Sequence, residues 1–195
     1  MKLIADQLYH VYNQGNNKED IFKDEYDYLN FLKKIRKHIL PVSDILAYCL
    51  MPNHYHFLIY SSIKSTETVQ LGLLESQVLK NNFRLLNSGY SNEFNNKYGR
   101  SGSLFRQKTK YKLLDDAHND YPFICFNYIH QNPLKAGMVK KMEDWRYSSF
   151  QDYMKIRNGT LCNFDLANQL FDINGDDFYE SSYSIIHERL SDKLF

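Results

Sequence analysis

Cysteine is scarce: Cys49, Cys125 and Cys162 are the only three in 195 residues, and none stands in a CxxC spacing. That excludes a disulfide framework and a zinc knuckle, and it suits buried free thiols in a reducing cytosol. No run approaches the roughly 18 apolar residues of a membrane span, and the first residues lack the apolar core of a signal peptide. A cytoplasmic protein without membrane contact is therefore expected. The formal charge is only +1, so there is no global nucleic-acid signature. Internal repeats and low-complexity tracts are also lacking.

What is present suffices for one well-buried core. With 43% hydrophobic residues over 195 positions, the chain falls short of two comparable domains, and one domain with an appendage is expected. Charge is uneven. Residues 163–195 hold seven Asp/Glu against Arg189 and Lys193, a net of −5 that leaves +6 on residues 1–162. The 16 tyrosines suit a Tyr-rich core and can also supply base-stacking surfaces.

Along the chain, Gln7 to Asn13 alternates as a strand, and Gln14-Gly15-Asn16-Asn17 ends it with turn chemistry. A helix is expected from about Asp24 to Leu40, with Tyr28, Leu29, Leu32, Ile35 and Ile39 on its buried side. Ile45 to Leu50 and His54 to Tyr60 read as an antiparallel hairpin joined at Met51-Pro52-Asn53. Thr66 to Leu86 reads as a second helix that buries Val69, Leu73, Leu74, Val78 and Leu85. The Asn-, Ser- and Gly-rich stretch Asn87 to Gly102 reads as a loop. A largely buried helix is expected from about Asp116 to Gln131, ended by Asn132-Pro133. Phe178 to Leu190 could form one more helix in the acidic tail.

The hairpin carries His54 and His56 within an apolar, β-prone run. Strand alternation puts residues i and i+2 on one face, roughly 6 to 7 Å apart. The two imidazoles can thus converge on one ion while Tyr55, Phe57 and Ile59 pack on the opposite face. Tyr128 and Asn132 stand four apart, on one face of a helix. If that helix crosses the histidine strand, His54, His56 and Asn132 can bind a divalent ion and present Tyr128 beside it. A nitrogen and oxygen set without thiolates suits Mg2+ or Mn2+ holding substrate phosphate oxygens. Tyr128 could then attack the phosphate, leaving a phosphotyrosine and a free hydroxyl.

Between Lys97 and Lys112 there are six basic residues and no acid: Lys97, Arg100, Arg106, Lys108, Lys110 and Lys112. The last four alternate, which would set four cations on one face of a strand. A charged edge strand resisting aggregation and a phosphate-tracking groove both account for them.

The strings Met51-Pro52-Asn53-His54-Tyr55-His56-Phe57-Leu58-Ile59, Gly102-Ser103-Leu104-Phe105 and Tyr128-Ile129-His130-Gln131-Asn132-Pro133-Leu134-Lys135-Ala136-Gly137-Met138-Val139 resemble signatures of the REP-associated tyrosine transposases, which are single-tyrosine HUH-type nucleases. Tyr9 to Asn17 and Trp145 to Phe150 also look like family features, so the resemblance runs over about residues 5–153. It implies an α+β fold of the ferredoxin-like, HUH endonuclease type: an antiparallel sheet flanked by helices. Residues 1–153 would form the catalytic domain and 154–195 an acidic, helical extension. The resemblance also implies His54 and His56 as metal-binding histidines and Asn132 as third ligand. Tyr128 would be the nucleophile joined to a DNA 5′ phosphate, and the substrate single-stranded DNA carrying a hairpin. Both monomeric and dimeric action fit the family. The competing readings are a catalytically silent DNA-hairpin binding regulator with the same fold, a phosphodiesterase in which water attacks and Tyr128 is structural, and a protein whose histidines only pack.

Overall fold

The two strands that carry the histidines and their partners are adjacent in a four-stranded sheet. In the computed structural model, residues 1–114, 121–171, 173 and 177–184 are described. The chain runs through β1 (Leu8–Gln14), α1 (Glu25–His38), β2 (Ser43–Met51), β3 (His54–Ser61) and the single turn α2 (Ile63–Thr66). It continues with the hairpin β4 (Thr68–Leu71) and β5 (Leu74–Gln77), then α3 (Val78–Tyr98), β6 (Lys110–Leu113) and α4 (Tyr121–Lys135). The short helices α5 (Phe150–Tyr153), α6 (Phe164–Phe171) and α7 (Phe178–Ser182) follow.

The main sheet has the order β2-β3-β1-β6 with every neighbouring pair antiparallel. With α1 between β1 and β2, and α3 between β3 and β6, this is the βαββαβ arrangement of ferredoxin-like folds. The expected α+β class is borne out. No described helix is long and apolar enough to cross a membrane.

Each face of the sheet buries its own set of side chains. Tyr9, Val11, Tyr48, Tyr55, Phe57 and Ile59 pack under α1 and α3, against Phe31, Ile35, Phe83 and Tyr90. Ala47, Cys49, Met51 and Leu58 face the other way, against Cys125, Phe126, Tyr128 and Ile129 of α4. Period-2 alternation thus divides one hairpin between two cores, and each fully buried large side chain contributes about 1.5–3 kcal/mol. All three cysteines are buried and free. The tail beyond residue 153 joins both cores, Leu161 and Cys162 on the α1–α3 side, and Ala167, Ile173 and Phe178 on the α4 side.

Several local expectations need correction. Helix α1 starts behind a capping box, in which Asp24 accepts from the Asp27 N–H and the Asp27 carboxylate accepts in return. Its buried stripe is Tyr28, Phe31 and Ile35, whereas Leu29 is 54% exposed. The helix expected at Thr66–Leu86 is instead a β-hairpin that turns at Gly72, where φ is +66°, followed by α3. Leu73, Leu74 and Leu85 are consequently exposed, and Leu79, Phe83, Leu86, Tyr90 and Phe94 form the buried stripe. The expected loop from Asn87 is the second half of α3, which Gly99 ends in the left-handed region. Of the helix expected at Phe178–Leu190, residues 185–190 lie outside the described residues, as do 116–120 of the helix expected from Asp116.

Pro133 does not end α4, which continues to Lys135. A proline inside a helix leaves the carbonyl four residues back without its donor, here that of Ile129. The Asn132 side chain compensates: its Nδ2 donates to the carbonyls of Tyr128 at 2.8 Å and Ile129 at 3.4 Å.

Candidate active site

Strand register assembles the site. Across from β3, Tyr12 pairs with His56 and Gln14 with His54, so these four side chains share the α4 face. His10 lies two residues along the same face of β1. Its Nε2 meets Nδ1 of His56 at 2.8 Å, the rings stack with centroids 5.0 Å apart, and neither residue is exposed.

His54 is held from the turn. Its Nδ1 lies 2.5 Å from Oδ1 of Asn53, whose Nδ2 donates to the Lys18 carbonyl at 3.2 Å. That second bond fixes the amide orientation, so His54 Nδ1 carries the proton and its Nε2 presents a lone pair. The two imidazoles meet edge to face, with centroids 4.9 Å apart and planes at 86°. Burial pushes the His54 pKa down to about 4. His56 is driven well below its ordinary value by burial first, then by His10 and His54. Both rings are therefore neutral near pH 7, the form that binds metals.

Helix α4 is pinned over them by His130, whose Nε2 bonds Ser149 Oγ at 2.7 Å; the same oxygen accepts the Tyr48 N–H at 2.9 Å. This places Tyr128 edge-on to both buried histidines, with centroids 5.9 Å from His56 and 6.1 Å from His10. Burial raises the Tyr128 pKa well above that of a free phenol, and Cys125 adds to the rise; a hydrogen bond with Asn132 opposes them. The Lys135 ammonium lies 5.5 Å from the centre of the Tyr128 ring.

A cavity of about 210 Å³ opens beside the histidines, lined by Tyr12, Asn13, Gln14, His54, His56, Arg106, Lys108 and Lys110. Three of the six expected cations thus line the same cavity as the imidazoles. Among the described residues, no three His, Cys, Asp or Glu side chains converge into a metal cage.

No family model matches the chain. A Haemophilus influenzae protein provisionally named a REP-associated tyrosine transposase is 28% identical over 138 residues, which are 66% of this chain and 72% of that protein. A solved structure described as a REP-associated tyrosine transposase bound to a REP hairpin matches with a TM-score of 0.56. That match covers 96% of this chain and 97% of the other, at 18% identity, and shows a shared fold. In sequence and in fold, then, the chain is similar to REP-associated tyrosine transposases.

In this chain the basic residues divide. Lys97 is bound to Asp24 at 2.7 Å and Asp27 at 2.8 Å, in the α1–α3 layer on the far side of the sheet. Arg100 pairs with Glu19 at 2.7 Å. Neither borders the histidine cavity. The expected strand of four cations is shorter too: only Lys110 and Lys112 lie within β6, in register with Tyr12 and His10, while Arg106 and Lys108 precede it.

Sequence reasoning missed His10, Tyr12 and Lys135. The first two alternate with the buried Tyr9 and Val11, so their common face was readable. Their approach to His56 depends on the β1–β3 register, which no local pattern specifies.

Proposed function

We propose that this protein is a metal-dependent single-strand DNA endonuclease and strand transferase that forms a 5′-phosphotyrosine on hairpin-bearing DNA. The observation that carries this reading is Tyr128 set against His56 and His10 beside a cavity rimmed by Arg106, Lys108 and Lys110. A tyrosine nucleophile, neutral imidazoles and exposed cations are the parts that phosphoryl transfer requires.

The donor set fits a divalent ion. His54 and His56 each commit Nδ1 to a neighbour, so Nε2 is the nitrogen of each that would ligate. With Asn132 Nδ2 turned back to its own helix, its Oδ1 would supply the third position. Two imidazoles and one amide oxygen suit an ion that retains room for water and phosphate oxygens. Bound Mg2+ or Mn2+ would supply Lewis-acid polarisation of the scissile phosphate.

The chain's own groups do the rest. Arg106, Lys108 and Lys110 hold the DNA backbone. The Tyr128 oxygen attacks phosphorus, forming an O–P bond as the P–O3′ bond breaks. The phenol loses its proton and the departing 3′ oxygen gains one, so charge is conserved. Rejoining by a 3′ hydroxyl reverses these changes and needs no external energy.

Incubating the protein with manganese and a labelled hairpin oligonucleotide bearing single-stranded flanks tests this. We expect a complex that survives denaturation. Tight binding with no adduct on any hairpin tried would favour the silent regulator, and a cut without an adduct would favour attack by water.

A further inference from the structure

Lys135 meets Tyr128 from its own helix. Tyr128, Asn132 and Lys135 stand at i, i+4 and i+7 of α4, so the candidate nucleophile, the candidate third ligand and an ammonium share one face of two turns. Side chains on a helix lean toward its N-terminus. Lys135 Nζ accordingly comes back over the Tyr128 ring, 5.5 Å from its centre. This row exists because α4 runs on through Pro133, with the Asn132 amide serving the Ile129 carbonyl that the proline leaves without its donor.

The ordinary duties of a lysine at a helix end do not account for this placement. The terminal carbonyls of Asn132, Pro133 and Leu134 accept the backbone N–H groups of Ala136, Met138 and Gly137, each at 3.0 Å, so none needs an ammonium to cap it. Gly137, at φ +68°, makes that closure possible. Lys135 is not half of an ion pair either. Among the described residues its Nζ meets no carboxylate, whereas Lys97 and Arg100 are both neutralised. Burial lowers the Lys135 pKa, as expected of a charge that has given up water without gaining an anion. The cations lining the histidine cavity come from the segment 106–110, whereas Lys135 comes from α4, beside the tyrosine itself.

We propose that Lys135 is a further catalytic residue, whose ammonium binds a non-bridging oxygen of the phosphate that Tyr128 attacks. The inference rests on the phosphotyrosine reading above. In the free protein the ring face holds the ammonium in place. A phosphate oxygen is a stronger partner than a ring and draws Nζ to itself when DNA binds. As the O–P bond forms and the P–O3′ bond breaks, the positive charge offsets the negative charge gathering on the phosphoryl oxygens. No proton passes to or from Lys135, so the bond changes stay those given above. Because the ammonium sits over the nucleophile, its partner is the scissile phosphate rather than one further along the strand.

Single-turnover adduct formation with saturating hairpin DNA and manganese tests it, with affinity measured separately by fluorescence anisotropy. In Lys135→Met, checked for an unchanged melting temperature, adduct formation should slow about 100-fold while affinity holds. Lys135→Arg keeps the charge and should retain most of the rate. A methylphosphonate at the scissile position removes the charge on the non-bridging oxygens, so it should slow the wild type by a larger factor than it slows Lys135→Met. Wild-type speed in folded Lys135→Met, a lost affinity with the rate intact, or an equal methylphosphonate penalty in both proteins would overturn the assignment. So would Lys135→Arg as slow as Lys135→Met. A wild-type protein that forms no adduct removes the phosphotyrosine reading itself, and the role of Lys135 with it.

Discussion

His10 and His56 share a hydrogen bond of 2.8 Å between Nε2 and Nδ1, and neither ring reaches solvent. If His56 is to ligate through Nε2, its Nδ1 must carry the proton and His10 Nε2 must accept it. His10 thereby fixes the tautomer and orientation of a ligand without touching the ion itself. Groups in this position typically affect metal affinity by about 10- to 100-fold. Calorimetric titration with manganese should show a loss of that size in His10→Ala and partial recovery in His10→Gln, both still folded. Unchanged affinity in folded His10→Ala would make the bond merely structural.

The paired histidines differ in their expected cost to the metal-free fold. His54 is half-buried and bonded to one turn residue, so His54→Ala should cost about 1 kcal/mol or less. His56 is fully buried, and its removal leaves a void and deprives His10 of its partner. His56→Ala should therefore cost roughly 2–4 kcal/mol. Urea denaturation in chelator measures both; equal losses would contradict this account of how the two are held.

Acid should weaken the metal-free fold through its buried imidazoles. Burial lowers His54 to about 4 and His130 to about 3, and with help from His10 and His54 it holds His56 well below its ordinary value. Below roughly pH 6.5 the unfolded chain therefore binds more protons than the folded one. Stability is complete above that pH and falls as pH drops toward 4. The urea midpoint measured from about pH 7 to about pH 4.5 should decline steadily. A flat midpoint across that window would show that the three rings are solvated.

Much of this site was legible from alternation alone. His54 and His56 fall on one face, and Tyr55, Phe57 and Ile59 on the other, because a strand of period 2 leaves no third choice. Tyr128 and Asn132 were likewise placed by helical spacing. What escaped was tertiary. The helix propensities of Asn and Ser argued for a loop after Leu86, yet Tyr90 and Phe94 extend the apolar stripe of Leu79, Phe83 and Leu86, and their burial outweighs those propensities. Pro133 looked like a helix end because the compensating bond from Asn132 is visible only in three dimensions. Lys97 and Arg100 belonged to the same basic run as Arg106 by sequence, but the ion pairs with Asp24, Asp27 and Glu19 take them elsewhere.

That division of charges makes a salt prediction. If Arg106, Lys108 and Lys110 each neutralise a phosphate, replacing all three with alanine should reduce the slope of log affinity against log salt by about 2, at about 0.7 per contact on single strands. Lys97→Ala and Arg100→Ala should leave that slope unchanged. Anisotropy titrations over a salt series decide the matter; a slope moved by the second set rather than the first would relocate the DNA path to the C-terminal end of α3, around Lys97 and Arg100.

The central claim is that Tyr128 is the nucleophile, and Tyr12 is the natural challenger, because its ring lies as close to His56, at 5.9 Å. Peptide mapping of the covalent adduct formed with hairpin DNA and manganese distinguishes them. The account predicts a nucleotide mass on the peptide containing Tyr128, an adduct abolished in Tyr128→Phe and retained in Tyr12→Phe. An adduct on Tyr12, or one undiminished in Tyr128→Phe, would contradict it.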